Sequence, residues 1–444
     1  MGLLIGMGST SPAYPYDYFY GVKININTAD PALTRVGRAD LHVSLPVQSQ
    51  MRRCLLADDG TVTAYLDASD STKTDTGDAA DLTGASGMYM VEFPEHYRKF
   101  EFDGADLLAL ISPYPLPGFH KVRKMYRSAV QATTDKTDTS KPKLASVVNT
   151  TAEFRGGTNN SSWDGTYRSL LGMPVTSTSL TNFRKYARNR GEYGMNGCGW
   201  NCDTYEAMVN TFWLYVIEYA NLNSQAAFNA EPTSEGYKQG GLGAGVTTWD
   251  GTWSTYNSNN PIIPCGTTNS LGNATGVVSY TVKNDDESIT KTFDVPSYRG
   301  IENPFGHIWH WVDGAHIIET TAEEGDKRLF YRAIDDDPAN FNDDVNNEGY
   351  ILRGEVSRNS GYIKRILGGE YGDILPLTTG AGSTSYYCDY WYVNPSAPPT
   401  NTLRGVLSGG SAIHGALCGL ADVDAACAPA SANAYIGSRL CYIP

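Results

Sequence analysis

Along this chain, hydrophobic residues alternate with polar ones far more often than they recur every three or four positions, which predicts a β-dominated molecule. Residues 41–45 (Leu-His-Val-Ser-Leu) and 88–93 (Met-Tyr-Met-Val-Glu-Phe) read as half-buried strands. Residues 276–283 and 289–295 alternate about the turn Asn284-Asp285-Asp286-Glu287 and predict a hairpin. Further strands are expected at 307–312, 316–320 and 328–334, and 386–392 is a β-prone aromatic run. One segment breaks the pattern. From Asp203 to Asn221, Tyr205, Met208, Val209, Phe212, Trp213, Val216 and Tyr219 recur at helical spacing, and Tyr215 and Ile217 fill the other side. That predicts a central helix buried nearly all round, its aromatic stripe serving as core. Asp203 and Glu206 stand at capping-box spacing at its start.

Polar stretches divide these elements. Residues 67–83, rich in Asp, Ser and Thr, read as a solvated loop, and 133–142 (Thr-Thr-Asp-Lys-Thr-Asp-Thr-Ser-Lys-Pro) as a linker. The expected organisation is α+β: a lead-in at 1–20, a β-rich N-terminal domain at 21–135, and a second domain at 143–444. The lead-in is loose and Tyr/Pro-rich, of a kind suited to attachment.

The tail from Arg404 onward follows no period at all. A frame of Gly, Ala, Val and Ser is interrupted by chemically unrelated residues: Ile413, His414, Leu417, Cys418, Asp422, Asp424, Cys427 and Tyr435. Between Gly405 and Tyr435 there is no Lys, Glu, Gln, Met or Trp. An Asn codon (AAC or AAT) randomised at its two adenines reaches every inserted type and none of those five. The tail has the footprint of adenine-directed mutagenesis.

With the frame Arg404-Gly405-Val406-Leu407-x-Gly409-Gly410 and the closing block Gly437-Ser438-Arg439-Leu440-Cys441, the chain resembles the variable proteins of diversity-generating retroelements in phages and prophages of gut bacteria. The likeness extends to Leu45-Pro46-Val47, Met51-Arg52-Arg53-Cys54, Val91-Glu92-Phe93-Pro94 with Tyr97, and Trp163-Asp164-Gly165-Thr166-Tyr167-Arg168. Ala187-Arg188-Asn189-Arg190-Gly191, Ile217-Glu218-Tyr219 and Asn223-Ser224-Gln225 belong to it too. In that family a reverse transcriptase copies a template repeat with errors at adenines and writes the copy over the 3′ end of the gene. The resemblance implies a C-type lectin fold related to the formylglycine-generating enzyme for 143–444, with the variable region at 404–441. Gly306-His307-Ile308-Trp309-His310-Trp311 is similar to the Gly-x-x-Trp-x-Trp turn of that superfamily. No catalytic cysteine pair of the enzyme can be placed on this chain.

Composition narrows the partners. The chain has 444 residues, 41% hydrophobic and 18% charged, which is globular. Its formal charge of −14 opposes a role in gripping nucleic acid or anionic lipid. The abundance of Gly (46) and Tyr (29) resembles the contact chemistry of antibody-like sites. Met1–Thr10 is a poor secretory signal, and no apolar run reaches the length that inserts into a bilayer. The eight cysteines match no disulfide scaffold and are expected to be reduced. Cys198 and Cys202 lack the second pair a zinc site needs, and Cys418 and Cys427 fall at randomised positions. His307, His310 and His316 read as structural, with a metal pair His310/His316 as the competing reading. The run Asp335-Asp336-Asp337, with Asn340, Asn342, Asp343 and Asp344, offers oxygens of the kind calcium takes but lacks EF-hand spacing. A solvated loop is the favoured reading there, and no cofactor is expected.

No Gly-x-Ser-x-Gly, His-Glu-x-x-His or Gly-x-x-x-x-Gly-Lys signature is present, and a non-enzymatic role is expected. The chain reads as a phage receptor-binding protein, in the tail of the virion. Ser411, Ile413, His414, Leu417, Cys418, Asp422, Asp424, Ala426, Cys427 and Tyr435 would form its exchangeable ligand surface. Its partners would be a bacterial surface protein or glycan and other tail proteins, with a homotrimer expected from the resemblance. A formylglycine-type sulfatase-modifying oxidase and a bacterial surface adhesin are the alternatives. Arbitrary draws are tolerable only where side chains meet water, so all ten positions are expected to face solvent. Gly409, Gly410, Pro429, Ile436, Arg439 and Leu440 would hold the scaffold. Sequencing downstream of the gene tests the premise: a near-copy of the 405–435 coding segment is expected, differing only at adenines, and differences spread over all four bases would refute it.

Overall fold

The computed structural model describes residues 17–154, 172–191, 199–249, 262–283, 288 and 290–444. The N-terminal sixteen residues of the lead-in, the motif at 163–168, Cys198 and the turn at 284–287 lie outside them. The molecule is mostly β, with 38% strand and 13% helix.

Three sheets surround one helix. A five-stranded sheet runs in the order Thr34–Gly37, Tyr20–Asn25, Asp106–Ser112, His96–Asp103, His120–Val122. A six-stranded sheet runs Gly199–Cys202, Leu440–Ile443, Met125–Ser128, Met88–Phe93, Arg52–Leu56, Val62–Tyr65. The largest is nearly closed into a barrel. It runs Tyr350–Glu355, Arg328–Ala333, Trp309–Glu319, Thr402–Ser408, Val423–Asp424, Tyr390–Tyr392, Gly361–Gly368, Asp373–Thr379, and Ile436–Ser438 pairs in parallel with Trp309–Glu319. Its two edges meet through charge: Asp373 on the last strand accepts from Arg332 at 2.7 Å and Arg353 at 2.8 Å on the first two.

The helix Tyr205–Tyr219 is buried on every face, as its all-round apolar pattern predicts. It touches the strands Tyr20–Asn25 and Asp106–Ser112 on one side and Trp309–Glu319 on the other. Each large side chain it buries contributes roughly 1.5–3 kcal/mol. Its cap is Thr204, whose hydroxyl accepts from the Ala207 N–H at 3.2 Å. Asp203 was the expected cap, but its carboxylate is engaged by Arg127, at 2.9 and 2.5 Å. A charged, bidentate partner outcompetes a backbone N–H for the same oxygens.

Other expectations are corrected. Residues 41–45 form part of the short helix Ala39–Ser44, because Leu41 packs inward while Val43 is 46% exposed. The strands expected at 307–312 and 316–320 are one strand, Trp309–Glu319, with a bulge between Val312 and His316. The stretch at 133–142 is no linker, since Thr133–Asp135 pairs with Lys143–Ala145. Nor is it a seam between domains: the six-stranded sheet mixes strands from before and after it, and one hydrophobic core runs from Tyr20 to Ile443.

Asp203→Ala is expected to cost about 3–5 kcal/mol in urea unfolding, because it leaves the buried Arg127 guanidinium without its counter-ion. A loss under about 1 kcal/mol would show that this pair is not a fastening of the core.

Candidate functional site

The segment expected to vary begins on the strand Thr402–Ser408, which lies in the middle of the large sheet against Trp309–Glu319. Arg404 is held there by Glu319 at 2.7 Å. Gly405 is obligatory: a Cβ at that position would sit 2.6 Å from the Trp311 ring. The segment ends in Ile436–Ser438 and Leu440–Ile443, which enter two different sheets. Both ends of the loop are therefore fixed by interior strands.

Between them the chain makes two excursions. The first, 409–422, doubles back on itself and is held from beneath by the residues that follow the central helix. Gln225 donates to the carbonyls of Gly415, at 3.0 Å, and of Cys418, and the Ser224 hydroxyl accepts from the Leu420 N–H at 3.1 Å. The second, 425–435, is tied by backbone bonds from Gly405 to Cys427, Leu180 to Pro429 and Ser177 to Asn433. Gly409, Gly410, Pro429, Ile436, Arg439 and Leu440 are all buried, as scaffold residues should be.

The ten positions divide by exposure. Ile413 is 45% exposed. His414, Leu417, Asp424, Ala426, Cys427 and Tyr435 are half-buried. Ser411, Cys418 and Asp422 are fully buried, which corrects the expectation that every position faces solvent. Tight folding of the first excursion is the reason. The Ser411 hydroxyl meets His414 Nδ1 at 2.8 Å, the Cys418 thiol donates to the Ser411 carbonyl at 3.3 Å, and a Cβ on Gly410 would lie 2.3 Å from Cys418 Sγ. Codon chemistry bears on residue type and carries no information about which way a side chain points.

Around Trp309 the exposed part of the segment meets aromatic rings from outside it. His414 lies edge-on to Trp309 at 5.4 Å and to Tyr392 at 5.6 Å. Tyr392 continues to Tyr390 at 4.6 Å and Tyr390 to Tyr362 at 5.2 Å. Cys427 and Tyr435 pack at the rim of the cluster that contains Trp309. Tyr362, Tyr390 and Tyr392 were not singled out as ligand-facing; the alternating aromatics of the 386–392 run were the signal that could have marked two of them. Burial lowers the pKa of His414, so its imidazole is neutral, and it raises those of the Cys418 and Cys427 thiols, the latter to about 11. Neither sulfur is a nucleophile at neutral pH.

The other candidates resolve into structure. Gln131 bridges two of the three histidines: the His307 Nδ1–H donates to Gln131 Oε1 at 2.5 Å, and Gln131 Nε2 donates to His310 Nε2 at 2.6 Å. His316 is stacked on Tyr350, 4.2 Å between rings, and bonds Asn347. In the acidic run, Asp336 pairs with Arg332, Asp343 with Arg184, and Asp337 and Asp344 accept from backbone N–H groups. Arginines hold Asp336 and Asp343, and turns take one oxygen each of Asp337 and Asp344.

Beneath the surface lie two carboxyl groups short of partners. Asp422 and Asp389 are buried, and neither oxygen of Asp422 has a hydrogen-bond partner among the described residues. Asp389 accepts one bond, from the Ala421 N–H at 2.8 Å. Burial raises the pKa of Asp422 well above the usual carboxylate range, with the neighbouring Asp389 and Asp424 adding to it. Asp424 is raised to about 6, again by burial, with the Ala426 N–H and Arg404 opposing.

No family model and no curated protein matches this chain.

A carboxyl whose folded pKa exceeds its unfolded value, about 3.9, holds its proton in the fold after the unfolded chain has lost it. The contribution of these two carboxyls to stability should therefore fall as pH rises from about 4 through 6 and beyond, opposite in sign to that of the buried histidines, whose pKa values burial lowers. Asp422→Asn is expected to remove that residue's share of the fall, so that its stability gain over the wild type grows with pH and reaches about 1–3 kcal/mol at pH 7, read as urea midpoints across pH. An unchanged slope, or a destabilised variant at pH 7, would contradict it.

Proposed function

We propose that the chain is a non-enzymatic receptor-binding protein of a phage virion, built on a C-type lectin type of frame. Its exchangeable surface takes a bacterial cell-surface protein or glycan as ligand. The observation that carries this reading is the coincidence of two independent patterns. Residues of adenine-reachable type interrupt a small-residue frame between Gly405 and Tyr435, and that same stretch is clamped at both ends by interior strands. A rigid frame with replaceable side chains is what a diversified binding site requires.

Ile413, His414, Leu417, Cys427 and Tyr435 are the ligand-facing members, next to the fixed tyrosines of the aromatic file. Asp424 and Ala426 stand at its margin. Ser411, Cys418 and Asp422 act from underneath, by setting how the first excursion is packed. Half-buried rings present large, rigid contact area at little entropic cost, which suits them as anchors. Single contacts on so small a patch are weak, and several copies, a trimer in this reading, would act together on a cell.

Ile413→Asp combined with Tyr435→Ala tests the site. On a strain to which the wild-type protein adheres, the variant's adhesion should drop by about tenfold or more while its Tm stays within a few degrees. Full adhesion by a folded double variant would place the ligand elsewhere.

A further inference from the structure

A second concave site lies away from the variable surface, where the five-stranded sheet meets the last hairpin of the large one. It is a cavity of about 330 Å³, at the small end of the range for ligand pockets. Its floor is apolar: Ile24, Leu107, Leu222 and Ile366 are all buried. Its mouth is flanked by Phe102, 57% exposed, and Leu377, 48% exposed, two of the most exposed large apolar residues among those described. Both belong to hairpins, Phe102 opposite Leu107 and Leu377 on Asp373–Thr379. Nothing in the folding of either hairpin requires an apolar group at that point, and leaving one in water forgoes burial worth roughly 1.5–3 kcal/mol.

The polar groups at the rim share one sign. Lys23, Lys364 and Arg365 line the cavity against a single carboxylate, Asp30. Lys23 is answered by Asp106 at 3.2 Å, and Asp30 is committed to the Ala32 N–H at 2.9 Å. Lys364 instead lies 5.4 Å from the Tyr386 ring centroid, and Arg365 donates to the neutral Asn27 amide at 3.2 Å. Neither has a carboxylate partner among the described residues. In a chain of net charge −14, two unanswered cations beside an apolar hollow are a local reversal of sign.

The geometry points to a binding site for a small anionic amphiphile, a molecule with an apolar body and a carboxylate-like head. The body would displace water from the floor between Ile24, Leu107, Leu222 and Ile366, covering Phe102 and Leu377. The head would be met by Lys364 and the Arg365 guanidinium, whose planar donors suit a carboxylate. The inference is independent of the receptor-binding reading, because it uses no residue of the variable segment.

The probe is decanoate below its micelle concentration, with decanol as the neutral counterpart, titrated into the full chain by calorimetry. Saturable binding at one site per chain is expected, tighter for decanoate. Lys364→Ala with Arg365→Gln should weaken decanoate by about tenfold and leave decanol unchanged. Thr34→Trp, on an exposed strand position at the cavity wall, should abolish binding of both without lowering Tm. No saturable binding, binding untouched by Thr34→Trp, or equal affinity for both probes would overturn the proposal. So would sedimentation showing a self-association that Phe102→Ser and Leu377→Ser abolish and decanoate does not, since the patch would then be an interface between copies.

Discussion

The tail of this protein depends on one guanidinium that water does not reach. Arg439 stands at the step where the chain leaves Ile436–Ser438 in the large sheet and enters Leu440–Ile443 in the six-stranded one. It donates to the carbonyls of Ser128 at 3.1 Å, Asn303 at 2.7 Å and Glu302. Those acceptors belong to separate segments, so a single side chain fixes the distance between two sheets. Burial lowers its pKa and Arg127 nearby adds to the effect, while Asp203 and Glu302 oppose it. Its two terminal nitrogens reach three carbonyls while its Nε finds no partner among the described residues, and hydrogen bonds to charged groups contribute about 1.5–3 kcal/mol each. With Arg439 in place, the far end of the variable segment cannot shift. With Arg404 on Glu319, neither can the near end.

That double anchorage has an energetic consequence for the positions between. Side chains at the outer tier, such as Ile413, can change with little effect on the fold. At the inner tier the same exchange alters a packed interior. Cys418 fills the space over Gly410, and Asp389 crowds Gly419 so closely that no Cβ fits there. A carboxyl at 422 without a partner is a cost to stability, because a buried polar group goes unpaired. Substitution at Ser411, Cys418 and Asp422 is thus constrained by folding, whereas substitution at Ile413 is not.

Much of the architecture was legible where periodicity is strong. The helix Tyr205–Tyr219 and the strands Met88–Phe93 and Gly276–Lys283 follow directly from their apolar spacing. What failed did so where tertiary partners override local preference. Residues 41–45 alternate like a strand but coil because Leu41 and His42 are the residues that find the core. Asp203 has the right spacing to cap a helix, yet Arg127, 76 residues earlier in the chain, claims it. The polar run at 133–142 has linker composition, but its flanks pair into a hairpin whose apolar residues, Leu144 and Ala145, are buried. The candidate surface was legible in its residue types and illegible in its depth, because depth is set by Ser224, Gln225 and Asp389, far away in sequence. The aromatic file from Tyr362 to His414 was hidden for the same reason: it is assembled across strands that only the sheet order brings together.

A site whose chemistry is exchanged must take part of its affinity from what is not exchanged. In the proposed reading the constant part would be Tyr362, Tyr390 and Tyr392, which run in ring contact to His414 and are backed by the buried Trp309. Aromatic faces accept apolar and planar groups of many kinds, so they contribute to binding without dictating a partner. Under the proposed function, exchanged residues at the rim would then decide among ligands that the file holds loosely, through added contacts or through clashes. Affinity and specificity are in this way placed on different residues. Under that reading, a change at 413, 414 or 435 would redirect the site without having to rebuild it.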